Sequence, residues 1–403
     1  MRIPIVILIG LVLAAPLAAQ TRPRGRDLGI PFPGKTGPNN AITDVAGIAV
    51  GHVTLIEGEG KLILGKGPIR TGVTAILPRP KGNWDPVFAA TFNLNGNGDM
   101  TGINWIKESG FMEGPILLTG THSVGTVRDA AIQWQLKNGR NFIFTYPIVA
   151  ETFDFLNDAN GEHVKPMHAL QALDNAKPGR VQEGAVGGGT GMGCNGFKGG
   201  IGTSSRVLEA GGYTIGVLVQ CNYGGDLRIL GVPIRQEITD LRACTTLPQP
   251  LTREWTRGMP ACPSDRGATD TPEAQQYEGR GSIIVIVATD APLLPHQLER
   301  LTRRVGMALG RLGSWAGNSS GDLFLAFSTA NPGAGSSEGT PSLKILPNDQ
   351  IDPLFRATID ATEEAVVNAM LAADTMTGAD GIRLFGLPGD RVIAALKKYN
   401  RMK

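Results

Sequence analysis

From Ile42 onward the chain alternates short apolar runs with glycine-rich breaks. Runs over 48–50 and 53–56, separated by Gly51-His52, predict two short strands. Further strands are predicted over 72–77, 88–94 and 116–119. The 88–94 run ends in the turn-rich Asn95-Gly96-Asn97-Gly98-Asp99. Residues 124–136 then carry apolar positions at Val127, Ala130, Ala131 and Trp134, a helical spacing. Strands follow at 142–145, 149–152, 205–209 and 213–220, with a short helix over 167–173 between the second and third.

The pattern fails between 234 and 281. Five prolines (Pro248, Pro250, Pro260, Pro263 and Pro272) and mixed charges read as a long loop or linker. It ends at Gly281-Ser282, directly before the β-branched run over 282–288. A helix over 296–312, a strand over 323–328 and helices over 360–372 and 390–399 complete the chain. Strands followed by helices in both halves predict a layered α/β body. The candidate divisions are an N-terminal arm (20–40), a larger part (41–281) and a smaller part (282–403) of one domain.

Composition narrows the class. Apolar residues make up 41% of the chain, enough for a real core, and the 55 glycines follow no collagen period. Met1-Arg2, an apolar run over 3–13 and a small-residue end over 14–20 predict a signal peptide over 1–19 and an exported, periplasmic or secreted protein. That run is too short for a good membrane anchor, so no membrane association is expected after its removal. The formal charge of +2, with Lys and Arg scattered, argues against a nucleic-acid partner. An exported location permits disulfides. Cys244 and Cys262 are the plausible pair, while Cys194 and Cys221 read as buried thiols.

Several familiar motifs fail on context. The Walker-like spacing over 29–36 holds two prolines and lacks a strand before it. Gly191, Gly193 and Gly196 lack a strand-turn-helix unit. Gly317-Asn318-Ser319-Ser320-Gly321 has the Gly-x-Ser-x-Gly spacing, but no strand precedes it and no helix follows. The five histidines show no metal-binding spacing, and no cofactor is expected.

The remaining candidates each have an ordinary and a chemical reading. Ser282 is either a strand-opening residue or a nucleophile exposed by cleavage after Gly281. Ser320 and Asp322 open the strand over 323–328, as a local turn or as a hydroxyl–carboxylate pair. Asn222 follows a strand and precedes Tyr223-Gly224-Gly225, as a turn or as an oxyanion donor. Glu151 is a solvated edge residue or a partner for a substrate ammonium.

A resemblance then joins these positions. Ile42-Thr43-Asp44-Val45-Ala46-Gly47, Val149-Ala150-Glu151-Thr152, Gly189-Thr190-Gly191-Met192, Phe197-Lys198-Gly199-Gly200-Ile201-Gly202-Thr203 and Val219-Gln220-Cys221-Asn222-Tyr223-Gly224 stand in order before Gly281-Ser282-Ile283-Ile284-Val285-Ile286-Val287. Together they resemble the DmpA-type self-processing aminopeptidases, which include L-aminopeptidase/D-amidase/esterases and β-peptidyl aminopeptidases. The resemblance runs from about Ala41 to the last helix. It implies a four-layer α-β-β-α sandwich of N-terminal-nucleophile-hydrolase type, autoproteolysis between Gly281 and Ser282, and a homo-oligomer of two-chain units. It also implies Ser282 as nucleophile, Ser320 and Asp322 as its assistants, Asn222 at the oxyanion and Glu151 at the substrate amine. The substrates implied are short peptides, amides or esters with a free amine. Well-known members carry Glu where Asp322 stands and an aromatic hydroxyl where Phe153 stands. Two other classes stay open: an N-terminal-nucleophile amidohydrolase or acyltransferase on small amides, and a noncatalytic exported binding protein.

Overall fold

The computed structural model describes residues 22–253, 256, 258–263 and 281–403. The expected signal peptide and the last stretch of the expected linker, 264–280, lie outside the described residues.

Two sheets and four helices make the body. The first sheet has the order β1 (Ala49–Glu57), β2 (Ile69–Leu77), β5 (Ile116–Gly120), β6 (Ile148–Thr152). The second has the order β4 (Phe111–Met112), β3 (Val87–Asn93), β13 (Gly321–Ser328), β12 (Ser282–Thr289), β10 (Thr214–Asn222), β9 (Gly200–Val207). Helices α2 (Val124–Lys137) and α3 (Pro166–Asp174) share a core with the first sheet through Val73, Leu117, Val127 and Leu173. Helices α5 (Pro295–Arg311) and α6 (Asp352–Leu371) cover the second, through Leu298, Val305, Val366 and Phe324. A third cluster, including Ile76, Leu118, Ala150, Leu218, Ile284 and Leu325, fills the space between the sheets. Three apolar layers between four structural ones make the α-β-β-α sandwich.

The continuous apolar run of β12 follows from that placement. Ile283, Val285 and Val287 face the helices, while Ile284, Ile286 and Ala288 face the other sheet. A strand buried on both sides has no polar face to alternate with. Helix α5 starts with Pro295 in its first turn, where a missing N–H costs nothing. No helix among the described residues is long and apolar enough to cross a membrane.

Several expected elements differ. Residues 49–57 form one strand, because Gly51 lets the chain pass close to the Ala172 carbonyl without a break. Residues 142–145 are not a strand; Ile143 and Phe144 are exposed and β6 opens at Ile148, after Pro147. Helix α6 begins eight residues before the expected start, at Asp352, with Pro353 in its first turn. Much of the expected linker is ordered. It holds α4 (Ile234–Glu237) and β11 (Cys244–Thr245), which joins β15 (Ile382–Leu384) and β14 (Met376–Thr377) in a small sheet. The Cys244–Cys262 disulfide closes this segment as expected. Cys194 and Cys221 are buried but are not thiols: they are bonded to each other. The hairpin of β7 (Gly193–Cys194) and β8 (Phe197–Lys198) lies against β10, with the Asn195 N–H bonded to the Tyr223 carbonyl, which sets the two sulfurs side by side. Nothing local in the sequence announces that contact.

Candidate active site

Strand register assembles the site. Ser282 opens β12 between Asn222, the last residue of antiparallel β10, and Gly321, the first residue of parallel β13. Ser320 and Asp322 therefore flank the residue opposite Ser282. Ser282, Ser320, Asp322, Asn222 and Glu151 are all buried. The Gly317–Ser320 stretch is a turn that enters a strand, which disposes of the hydrolase elbow.

Gly281 carries φ of +131°, in the region that favours glycine. A Cβ there would run into the Asn222 carbonyl and stand 2.8 Å from the Tyr223 Cα. The Gly281 carbonyl oxygen accepts the Gly321 N–H at 3.2 Å. The Gly281–Ser282 peptide thus sits where only glycine fits and is already polarised by one donor.

The Ser320 hydroxyl donates to Asp322 Oδ1 at 2.7 Å. Asn95 Nδ2 donates to Asp322 Oδ2 at 3.3 Å. Burial pushes the Asp322 carboxyl above the ordinary aspartate range; hydrogen bonds from Ser320, Asn95 and the Ile283 N–H offset part of this. The shorter aspartate side chain still reaches Ser320 because only one residue separates them at the strand entry.

Asn222 is held from both ends. Its Oδ1 accepts the Gly193 N–H at 2.9 Å, and its Nδ2 donates to the Phe153 carbonyl at 2.9 Å. A donor facing one end and an acceptor facing the other fix the amide orientation and leave one Nδ2 hydrogen for a further partner.

Glu151 is the penultimate residue of β6, in the other sheet. Its Oε1 accepts the Asp99 N–H at 3.0 Å, and its Oε2 accepts the Thr121 hydroxyl. Burial pushes its carboxyl above the ordinary glutamate range, with those hydrogen bonds opposing. Gly98 links this carboxylate to the serine side: a Cβ there would lie 3.2 Å from Glu151 Oε1 and 3.4 Å from Gly321 Cα. The turn over 95–99, expected only as punctuation, thereby touches both Glu151 and Asp322. Thr121 and Asn95 carried no signal in the sequence, since each matters through a partner far along the chain. Phe153 keeps only its backbone carbonyl in this arrangement and brings no hydroxyl.

The geometry offers a hydroxyl at a junction that admits only glycine, a hydroxyl–carboxylate pair beside it, a fixed amide donor and a buried carboxylate across the gap between sheets. The sequence profile of peptidase family S58 matches residues 40–384. The chain belongs to peptidase family S58. It is similar to the β-peptidyl aminopeptidase BapA of Sphingosinicella microcystinivorans, at 50% identity over 402 residues covering 98% of this chain and 97% of the relative. The BapA of Sphingosinicella xenopeptidilytica is 45% identical, covering 96% of this chain and 94% of the relative. Among solved structures, the L-aminopeptidase D-Ala-esterase/amidase from Ochrobactrum anthropi, a prototype of the serine aminopeptidases with a variant Ntn-hydrolase fold, matches at a TM-score of 0.82. The two are 42% identical, and the match covers 95% of this chain and all of that one. This S58 chain accordingly has the fold of that group and is a peptidase with an aminopeptidase's kinship. The noncatalytic binding-protein reading is set aside by the same matches.

Proposed function

We propose that this protein is a self-processing serine aminopeptidase whose nucleophile is Ser282. The observation that carries the reading is the meeting of Gly281-Ser282 with Asn222 and Gly321 at one strand opening. Ser282 Oγ attacks the Gly281 carbonyl carbon, the C–N bond breaks, and the Ser282 nitrogen takes a proton to become a free amine. Water then hydrolyses the resulting ester, leaving a Gly281 carboxylate and a free Oγ–H. The Gly321 N–H supports the carbonyl oxygen during that step. A substitution that adds a Cβ at Gly281 is expected to stop it: Gly281→Ala should remain one chain under conditions where wild type is fully cut, as read on a denaturing gel.

In the processed enzyme, Ser282 attacks the first amide or ester of a substrate whose amine lies against Glu151. The Ser282 α-amine, with a model-compound pKa of about 7.7–8.0, takes the hydroxyl proton near neutral pH, and Ser320 with Asp322 steadies that transfer. Asn222 holds the tetrahedral oxygen. The amine product leaves and water releases the acyl group. The activities named for the two Sphingosinicella relatives support an N-terminal β-amino acid as substrate; the Ochrobactrum structure supports a wider set of free-amine amides and esters. Release of an N-terminal β-amino acid from a dipeptide, followed by chromatography and compared with the α-isomer, tests this choice. Equal rates would defeat the β preference and leave the aminopeptidase reading in place.

Glu151 gives the reaction a pH limb. Its carboxylate form binds an ammonium, and its raised pKa means that protonation begins at a higher pH than for an ordinary glutamate. kcat/KM should fall as pH drops through that pKa, at a midpoint above that of an ordinary glutamate. In Glu151→Gln the limb assigned to this group should vanish.

Two disulfides support an oxidising compartment and, with the apolar start of the chain, export to the periplasm or beyond. The exposed cluster of Ile143, Phe144 and Tyr146 supports assembly into a homo-oligomer, which light scattering would detect as a mass above that of one two-chain unit.

A further inference from the structure

Lys198 is a wholly buried lysine with no place in the chemistry described so far. Its Nζ donates to three backbone carbonyls: Gly199 at 2.7 Å, Met192 at 2.8 Å and Gly189 at 3.4 Å. Carbonyl oxygens compensate a buried ammonium only in part, and desolvation pushes its pKa down to about 7. Keeping a cation at such a position is costly, and an apolar side chain would fill the space without that cost. The geometry around it shows where its charge acts. Met192 O, its partner at 2.8 Å, belongs to the Met192–Gly193 peptide unit. The N–H of that same unit is the group that donates to Asn222 Oδ1.

We propose that Lys198 is a positioning and polarising residue for the oxyanion site, acting on Asn222 through the Met192–Gly193 peptide. The chain of contacts runs from the Lys198 ammonium to the Met192 carbonyl, through the peptide to the Gly193 N–H, and on to the Asn222 amide. A cation at the carbonyl end of an amide draws electron density from its nitrogen and strengthens its N–H as a donor. The same effect repeats in the Asn222 side chain, whose remaining Nδ2 hydrogen becomes a better donor to a negative oxygen. Hydrogen-bonded amides polarise one another in this way most effectively where water is excluded. Lys198 also ties together both sides of the turn: the Gly199 N–H bonds the same Met192 carbonyl, and a Cβ on Gly199 would collide with the Cys221 carbonyl beside Asn222. The inference rests on Asn222 being the oxyanion donor.

A double-mutant cycle on the processed enzyme tests it, with kcat and KM measured on a free-amine anilide. Lys198→Met should lower kcat about tenfold with KM little changed. In an Asn222→Ala background the same substitution should change kcat by less than about twofold. Lys198→Gln, which keeps a donor but loses the charge, should sit nearer to Lys198→Met than to wild type. Equal losses in both backgrounds, or a loss confined to KM, would overturn the relay. Asn222→Ala with an unaltered kcat would instead remove the oxyanion reading beneath it. If the Lys198 variants do not fold or process, wild-type protein labelled with ¹⁵Nζ-lysine answers the question. Formation of a phosphonate adduct at Ser282 must raise the pKa of the down-shifted buried lysine, because coupling between two sites is reciprocal. An unchanged pKa would overturn the proposal.

Discussion

Ser282→Ala should leave the chain uncut and lower aminopeptidase activity by at least about a thousandfold, the scale on which loss of a nucleophile is felt. One substitution should remove two events, because the proposed mechanism gives the Ser282 hydroxyl both the opening of the Gly281–Ser282 bond and the later attack on substrate. Ser282→Cys separates them in part. A thiol retains nucleophilicity, so some processing should persist, with hydrolysis below wild type. Mass spectrometry follows the first event and release of a chromogenic amine the second. Wild-type hydrolysis by an uncut Ser282→Ala chain would exclude Ser282 as nucleophile.

Asn222→Ala should lower kcat by about 10² to 10³, or about 3–4 kcal/mol in the barrier, with KM little altered. The effect falls on kcat because the remaining Nδ2 hydrogen meets negative charge only as the tetrahedral oxygen forms. Glu151→Gln should behave differently, raising KM for free-amine substrates more than it lowers kcat, since an ammonium is present in the ground state. The contrast between these two variants separates oxyanion support from amine recognition. Asn222→Asp is expected to be at least as damaging as alanine, because a carboxylate would face the developing charge.

Much of the fold was legible in the chain, and the failures have physical causes. The β-branched run over 282–288 and the amphipathic 296–312 segment announced β12 and α5, because burial on two faces or one is written in local composition. The exposed apolar residues Ile143 and Phe144 imitated a strand because hydropathy does not report pairing. Residues 234–281 read as a linker, and the described part of that stretch takes its order from distant partners: β11 pairs with β15, and a disulfide joins Cys244 to Cys262. The four layers followed from the resemblance, and the three apolar clusters then located them.

The site was legible in the same uneven way. Ser282, Ser320 and Asp322 lie at strand openings, and register alone brings them together. The ordinary reading of Ser320 and Asp322 as turn residues was also correct as far as it went, since Ser320 does close a turn and bond Asp322. Glu151 and Asn222 come from different sheets, so no spacing in the chain relates them. The contributions of Asn95, Gly98 and Thr121 are invisible without the fold, because each acts through a contact with a distant residue. The Cys194–Cys221 bond was missed for the same reason.

The central claim is that Ser282 becomes the first residue of a new chain. Denaturing mass spectrometry of the freshly purified protein, with N-terminal sequencing of each component, tests it most directly. The account predicts two chains, one ending at Gly281 and the other running from Ser282 to Lys403 with a free α-amine. A single intact chain that still releases N-terminal amino acids, or a new N-terminus at any other residue, would contradict it.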